Sequence, residues 1–249
     1  MGPPEGLRVW HGFDSIFDMS QPLKPARSGP PHNPGIRELV AGKRRASPAD
    51  LAEQARAGFR GWHERGYLPH RDEPGLIQFV TFRLVDSFPE SLRSEWEHFA
   101  TLENDRRRLI QLEAYLDKGR GACYLRHKAV AELVETNLRK FAGDPYELRS
   151  WVIMPNHVHV LFKVGSLSMS DMVGECKKHT GRQANKILDR VGPFWAEGYF
   201  DVFMRDAEHE RRTIRYIENN PAKARLVGDP KDWPWGSARL RDQYGRLLL

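Results

Sequence analysis

Trp151-Val-Ile-Met-Pro-Asn-His-Val-His-Val-Leu-Phe162 decides how this chain is read. The run is apolar and rich in β-branched residues, the composition of a strand. Pro155-Asn156 interrupts it with turn chemistry. The pattern predicts a hairpin, with one strand over Tyr146 to Met154 and the next over His157 to Val164. Side chains alternate along a strand, so His157 and His159 share one face while Val158, Val160 and Phe162 share the other. Residues i and i+2 lie about 6–7 Å apart at Cα, close enough for two imidazoles to converge on a single ion. One histidine on a strand is ordinarily a surface or hydrogen-bonded residue, the reading given to His63, His98, His127 and His209. Two on one face point to a site. Such a site needs a third ligand and a nucleophile or activated water.

The elements around the hairpin set the fold. Ser47-Pro48-Ala49-Asp50 places an N-cap, a first-turn proline and a first-turn acid in order, opening a helix expected to run to about Arg65, where Gly66 ends it. Leu76 to Leu84 reads as a strand, Pro89 to Asp117 as a helix broken by Gly119-Arg-Gly121. Lys128 to Phe141 carries Val130, Leu133, Val134, Leu138 and Phe141 at helical spacing. Ser168-Met-Ser-Asp171 caps a helix toward Leu188, Tyr199 to Arg205 alternates as a last strand, and Asp206 opens a helix that Pro221 kinks or ends. The order is that of the split β-α-β-β-α-β unit. The predicted class is α+β: a ferredoxin-like antiparallel sheet with helices on one face, an extra C-terminal helix and an irregular N-terminal arm. The face carrying His157 and His159 is expected to stay open for a ligand. The expected division is a basic Pro/Gly-rich arm over 1–46, an accessory helix over 47–66, the main domain over 67–240 and a tail over 241–249.

Composition narrows the classes. The 249 residues are 40% hydrophobic and 29% charged, an ordinary globular balance. No apolar run is long enough for a membrane span, the N-terminus has no secretory pattern, and the two cysteines, Cys123 and Cys176, lack metal-type spacing. A reducing cytoplasm fits that pattern. The net charge of +6 allows a nucleic-acid partner without requiring one. The arm adds Lys24, Arg27, Arg37, Lys43, Arg44 and Arg45 against Glu38 alone, a phosphate-tracking tail or a solvated leader.

The closing helix supplies the missing chemistry. Tyr216 and Asn220 stand four residues apart and share a helix face. An amide oxygen is an acceptable ligand for Mg²⁺ or Mn²⁺. A tyrosine one turn away can reach a phosphate held by the same ion. Arg212 and Arg215 lie near enough in sequence to hold DNA phosphates. The plainer readings are a half-buried aromatic for Tyr216 and helix-end chemistry beside Pro221 for Asn219 and Asn220.

Met154-Pro-Asn-His-Val-His-Val160, Phe194-Trp195, Tyr199-Phe-Asp201, Arg205-Asp206, Tyr216-Ile-Glu-Asn-Asn-Pro-Ala-Lys-Ala224 and Trp233-Pro-Trp235 occur in this order. In these motifs the chain resembles the REP-associated tyrosine transposases, single-tyrosine relatives within the HUH nuclease superfamily, over roughly residues 65–240. The resemblance implies that His157 and His159 are paired metal ligands, that Asn220 completes the metal site and that Tyr216 is the nucleophile. It implies a divalent cofactor, Mg²⁺ or Mn²⁺, and a single-stranded or hairpin DNA partner. It also places Lys177, Thr180 and Asn185 on a helix lining the DNA. Dimers occur in some branches of the family and monomers in others. Where many members carry a Gly-Thr-Trp-Tyr-like segment, this chain has Gly75-Leu-Ile-Gln78.

The implied reaction is DNA nicking and strand transfer through a 5′-phosphotyrosine. The alternative is a catalytically silent DNA-binding regulator derived from a transposase. Histidine-triad hydrolases need a third histidine at the next alternate position, where this chain has Leu161. A metal-free phosphoesterase with paired His-x-Thr motifs fits no better, because no second such motif is present.

Overall fold

The computed structural model describes residues 47–64, 69–88, 113–140, 142–143 and 145–249. The expected arm over 1–46 and residues 89–112 of the helix expected over 89–117 lie outside the described residues.

Helix α1 (Pro48–Arg56) starts on the expected signal, because Ser47 accepts from the Asp50 amide at 3.2 Å while Asp50 accepts from the Ser47 amide at 2.7 Å. It stops at Arg56 instead of continuing to about Arg65. Gly58 and Gly61 adopt φ of +87° and +60°, left-handed backbone that glycine enters without strain and that no helix continues through. The chain then forms a two-stranded antiparallel ribbon of β1 (Gly61–Glu64) and β2 (Pro69–Asp72).

The main sheet joins β3 (Ile77–Arg83), β4 (Tyr146–Ile153), β5 (His157–Val164) and β6 (Phe200–Phe203). Their spatial order is β4-β5-β3-β6, and every neighbouring pair is antiparallel. With α2 (Lys128–Lys140) between β3 and β4 and α3 (Met169–Ile187) between β5 and β6, this is the split arrangement expected from the element order.

Both helices cover one face. Val130, Val134 and Leu138 of α2 and Met169, Met172 and Val173 of α3 pack on Val80, Phe82, Trp151, Val158, Val160 and Phe162. Val158, Val160 and Phe162 therefore face the core, as their alternation requires.

The opposite face is not open, contrary to expectation. Helix α4 (Ala207–Lys223) and a helical turn over residues 113–116 lie across it, burying Ile217 and Leu116 against Phe79, Val152, Met154 and Leu161. The closing helix has few apolar residues, but Thr213, Ile217 and Asn220 form a narrow buried stripe that suffices to dock it. It also runs through Pro221 to Lys223. A proline so near the C-terminus forfeits one intrahelical bond, and the last turn still closes through the Ala224 amide on the Asn220 carbonyl.

The segment after α4 clamps the outer strand. The Ile153 amide donates to the Trp235 carbonyl at 2.8 Å, and the Trp233 indole donates to the Ile153 carbonyl at 3.0 Å. A register irregularity between Leu148 and Ser150 frees the Arg149 carbonyl, which accepts from Arg241 at 2.9 Å. The edge of β4 is thereby occupied along part of its length. The expected tail doubles back through a bridge between Arg241 and Leu247. Among the described residues, no helix is long and apolar enough to cross a membrane.

Candidate active site

The turn between β4 and β5 fixes where the histidines begin. The Met154 amide donates to the His157 carbonyl at 2.8 Å, and the Leu84 and Leu125 amides donate to the Asn156 and Pro155 carbonyls at 2.9 and 3.2 Å. Register then sets Thr81 of β3 opposite His159 and Arg83 opposite His157. Both histidines point to the face under α4 and are fully buried.

Hydrogen-bond direction fixes their tautomers. The Asn156 amide nitrogen donates to the Arg120 carbonyl at 3.0 Å, so its oxygen is the atom 2.7 Å from His157 Nδ1. His157 Nδ1 must therefore carry the proton. Thr81 Oγ1 donates to the Glu113 carboxylate at 3.2 Å, so it accepts from His159 Nδ1 at 2.8 Å. With Nδ1 protonated on each ring, Nε2 is the nitrogen left to offer a lone pair to a metal ion. The two Nε2 atoms are 3.0 Å apart, and His159 Nε2 is 3.1 Å from Glu113 Oε2.

Two ring nitrogens and a carboxylate oxygen thus converge in a buried space, where positive charge between them is favoured. Ligand atoms of Glu113, His157 and His159 all lie within 4.8 Å of one another. Ligands about 2.1 Å from an octahedral ion at right angles are separated by about 3.0 Å, close to the spacing of the imidazole pair. Asn220 adds a second sign. It is buried, and among the described residues neither its amide oxygen nor its amide nitrogen has a hydrogen-bond partner. A buried amide left so is costly unless a ligand completes it. The donor set fits a divalent cation.

Tyr216 reaches this cluster from α4. Its hydroxyl donates to Glu113 Oε2 at 2.8 Å, and its ring lies 5.6 Å from that of His159 and edge-on to Phe79 at 6.0 Å. An ion pair of Lys223 with Asp117 at 2.9 Å ties α4 to the segment carrying Glu113. Burial disfavours ionisation of Glu113, but His159, with His157 and the Tyr216 hydroxyl, outweighs it and holds the carboxyl at about 2. Burial, and then the neighbouring His159, push His157 well below 6.5 and keep it neutral. Enclosure, and then the carboxylates of Glu113 and Asp117, push the Tyr216 hydroxyl well above 10; Asn220 nearby works in the opposite direction.

His157, His159, Tyr216 and Asn220 are therefore brought onto one buried face. The other candidate residues are not. Lys177 donates to the carbonyls of Ala196 and Gly198, Thr180 donates to the Cys176 carbonyl and accepts from the Trp195 indole, and Asn185 donates to the Gly192 carbonyl. Those three positions hold α3 to the loop before β6. Arg212 and Arg215 lie 4.0 and 3.7 Å from Glu208 on the outer side of α4, where Arg215 is largely exposed.

Sequence reasoning missed Glu113, Thr81 and Asn156. Asn156 adjoins His157 in sequence, and Thr81 is the cross-strand partner of His159, so adjacency and correct strand pairing expose them. Glu113 is one acid in a charged helical stretch and carries no local signal.

Comparison with known proteins follows the same lines. Residues 118–220 match the family described as Transposase IS200 like. A solved structure of a REP-associated tyrosine transposase bound to a REP hairpin is similar at 18% identity and a TM-score of 0.42, over 71% of this chain and 82% of that one. A search of curated proteins found no match. Residues 118–220, the part similar to that family, hold the histidine pair, Tyr216 and Asn220.

Proposed function

We propose that this protein nicks single-stranded DNA and rejoins its ends through a covalent tyrosine intermediate, acting on hairpin or palindromic repeats. The observation that carries the reading is a single carboxylate oxygen, Glu113 Oε2, within 2.8 Å of the Tyr216 hydroxyl and 3.1 Å of His159 Nε2. A nucleophile and an imidazole pair from elements far apart in sequence have no structural need to meet in this way.

His157, His159 and Asn220 would hold a divalent ion, Mg²⁺ or Mn²⁺. When bound, such an ion supplies Lewis-acid polarisation of the scissile phosphate. Asn156 and Thr81 keep the imidazole lone pairs aimed at one point. Tyr216 supplies the nucleophile. Its oxygen bonds to phosphorus, the phosphorus–O3′ bond breaks, and the phenolic proton is lost while a proton is gained on the departing 3′-oxygen. The products are a 5′-phosphotyrosine and a free 3′-hydroxyl. Because the linkage keeps the phosphodiester energy, another strand's 3′-hydroxyl can reverse the step. Arg215, with Arg212 behind it, offers charge to a backbone approaching α4, since its pairing with Glu208 is exposed and weak.

The test uses the full chain, DNA hairpins with single-stranded flanks, and Mn²⁺ or Mg²⁺. A covalent protein–DNA adduct that disappears in Tyr216→Phe supports the proposal. Hairpin binding without an adduct from any substrate would instead make the protein a DNA-binding regulator.

A further inference from the structure

We infer that Glu113 is an additional protein ligand of the metal site, and that its Oε2 is held by the Tyr216 hydroxyl until an ion takes that oxygen and frees the tyrosine. The inference rests on the metal-dependent reading above and deepens it. Metal binding and availability of the nucleophile become one event.

Glu113 lies outside residues 118–220, the span matching the family, in the segment before it. Its two oxygens have different partners. Oε1 accepts from Thr81, the hydroxyl that also orients His159. Oε2 lies 3.1 Å from Nε2 of His159. The Tyr216 proton, at 2.8 Å, is the donor placed on that oxygen. A cation between Oε2 and the two Nε2 atoms satisfies all three lone pairs and competes with the tyrosine for Oε2. The carboxylate is anchored meanwhile through Oε1, so release needs a movement of Tyr216 alone. Tyr216 is half-buried, and a phenol freed of Glu113 can turn toward a phosphate.

The experiment is a Mn²⁺ titration of the full-length protein by calorimetry, in wild type, Glu113→Gln, Tyr216→Phe, the double variant and His157→Ala. Glu113→Gln should weaken Mn²⁺ binding at least about tenfold, as loss of a ligating carboxylate does. Tyr216→Phe should tighten it by roughly three- to tenfold, because one charge-assisted hydrogen bond no longer has to be broken. In the double variant the tyrosine change should have little effect, since the charged oxygen for which tyrosine and ion compete is gone. A purely structural role for either residue would not produce that non-additivity.

Unchanged affinity in Glu113→Gln, or tightening by Tyr216→Phe that persists in its presence, overturns the inference. If His157→Ala also binds Mn²⁺ as wild type does, the metal reading itself fails. Should Glu113→Gln not fold, the wild type still decides. Adding Mg²⁺ should perturb the tyrosine difference spectrum in wild type and not in Tyr216→Phe, and an absence of any difference between them refutes the exchange.

Discussion

Thr81→Val tests the hydrogen-bond order on which the metal reading depends. Valine nearly matches threonine in shape, so the change removes one hydroxyl and little volume. In the fold that hydroxyl accepts from His159 Nδ1 at 2.8 Å and donates to Glu113 Oε1 at 3.2 Å, wholly out of water. Its loss leaves a buried N–H and a buried carboxylate oxygen unsatisfied. Each such group costs about 1–3 kcal/mol, so the metal-free protein should lose roughly 2–6 kcal/mol. The imidazole also loses the partner that keeps its proton on Nδ1. Losing an orienting partner of a ligating histidine weakens metal binding by about 10–100-fold, or about 1.4–2.8 kcal/mol at 1.4 kcal/mol per tenfold. Urea unfolding of the metal-free protein and Mn²⁺ calorimetry of the folded protein read the two effects separately. An unchanged urea midpoint together with Mn²⁺ affinity within twofold of wild type would show that Thr81 does not set the tautomer and that the converging lone pairs are misassigned.

Three further outcomes follow from particular contacts. His157→Ala and His159→Ala should abolish adduct formation while hairpin affinity in a gel-shift assay stays within a few-fold of wild type; equal loss of binding would give the pair a role in holding the fold. Metal-free stability should fall on the acid side: burial sets the folded pKa of His157 below the unfolded 6.5, so its contribution is complete above about pH 6.5 and is lost as pH falls toward the folded value. The depressed Glu113 acts in the same sense at lower pH, its contribution being present above the ordinary 4.5 and lost as pH approaches about 2. Melting temperatures between pH 8 and pH 5 should therefore slope downward in wild type and less so in His157→Gln; parallel slopes would contradict this. Gly121→Ala should destabilise by about 1–3 kcal/mol, because φ is +88° and a Cβ would meet the Asp86 carbonyl oxygen at 2.6 Å. Unfolding midpoints check this, and a neutral result would mean the segment after Glu113 is free to shift.

Much of the fold was legible because periodicity reports burial one residue at a time. The alternation in His157–Val164 assigned the imidazoles and the core valines to opposite faces, and the capping signal at Ser47 located the start of α1. The end of α1 was misread because Gly58 and Gly61 act through φ, which composition does not display. The covering of the histidine face by α4 was misread because Ile217 and Leu116 are too sparse to announce a docking stripe.

By itself, the sequence determined the strand carrying His-x-His, the helix carrying Tyr216 and Asn220 one turn apart, and the α+β order of elements. All three follow from contacts between residues a few positions apart. Only the tertiary structure decided that these pieces share one buried space, that Asn156 and Thr81 fix both imidazole tautomers, and that Glu113 lies between the tyrosine and the histidines. Those contacts join residues 32 to 103 positions apart, apart from the local Asn156–His157 bond. They come from strand register and helix docking, in which the burial of many apolar side chains together places a few polar ones.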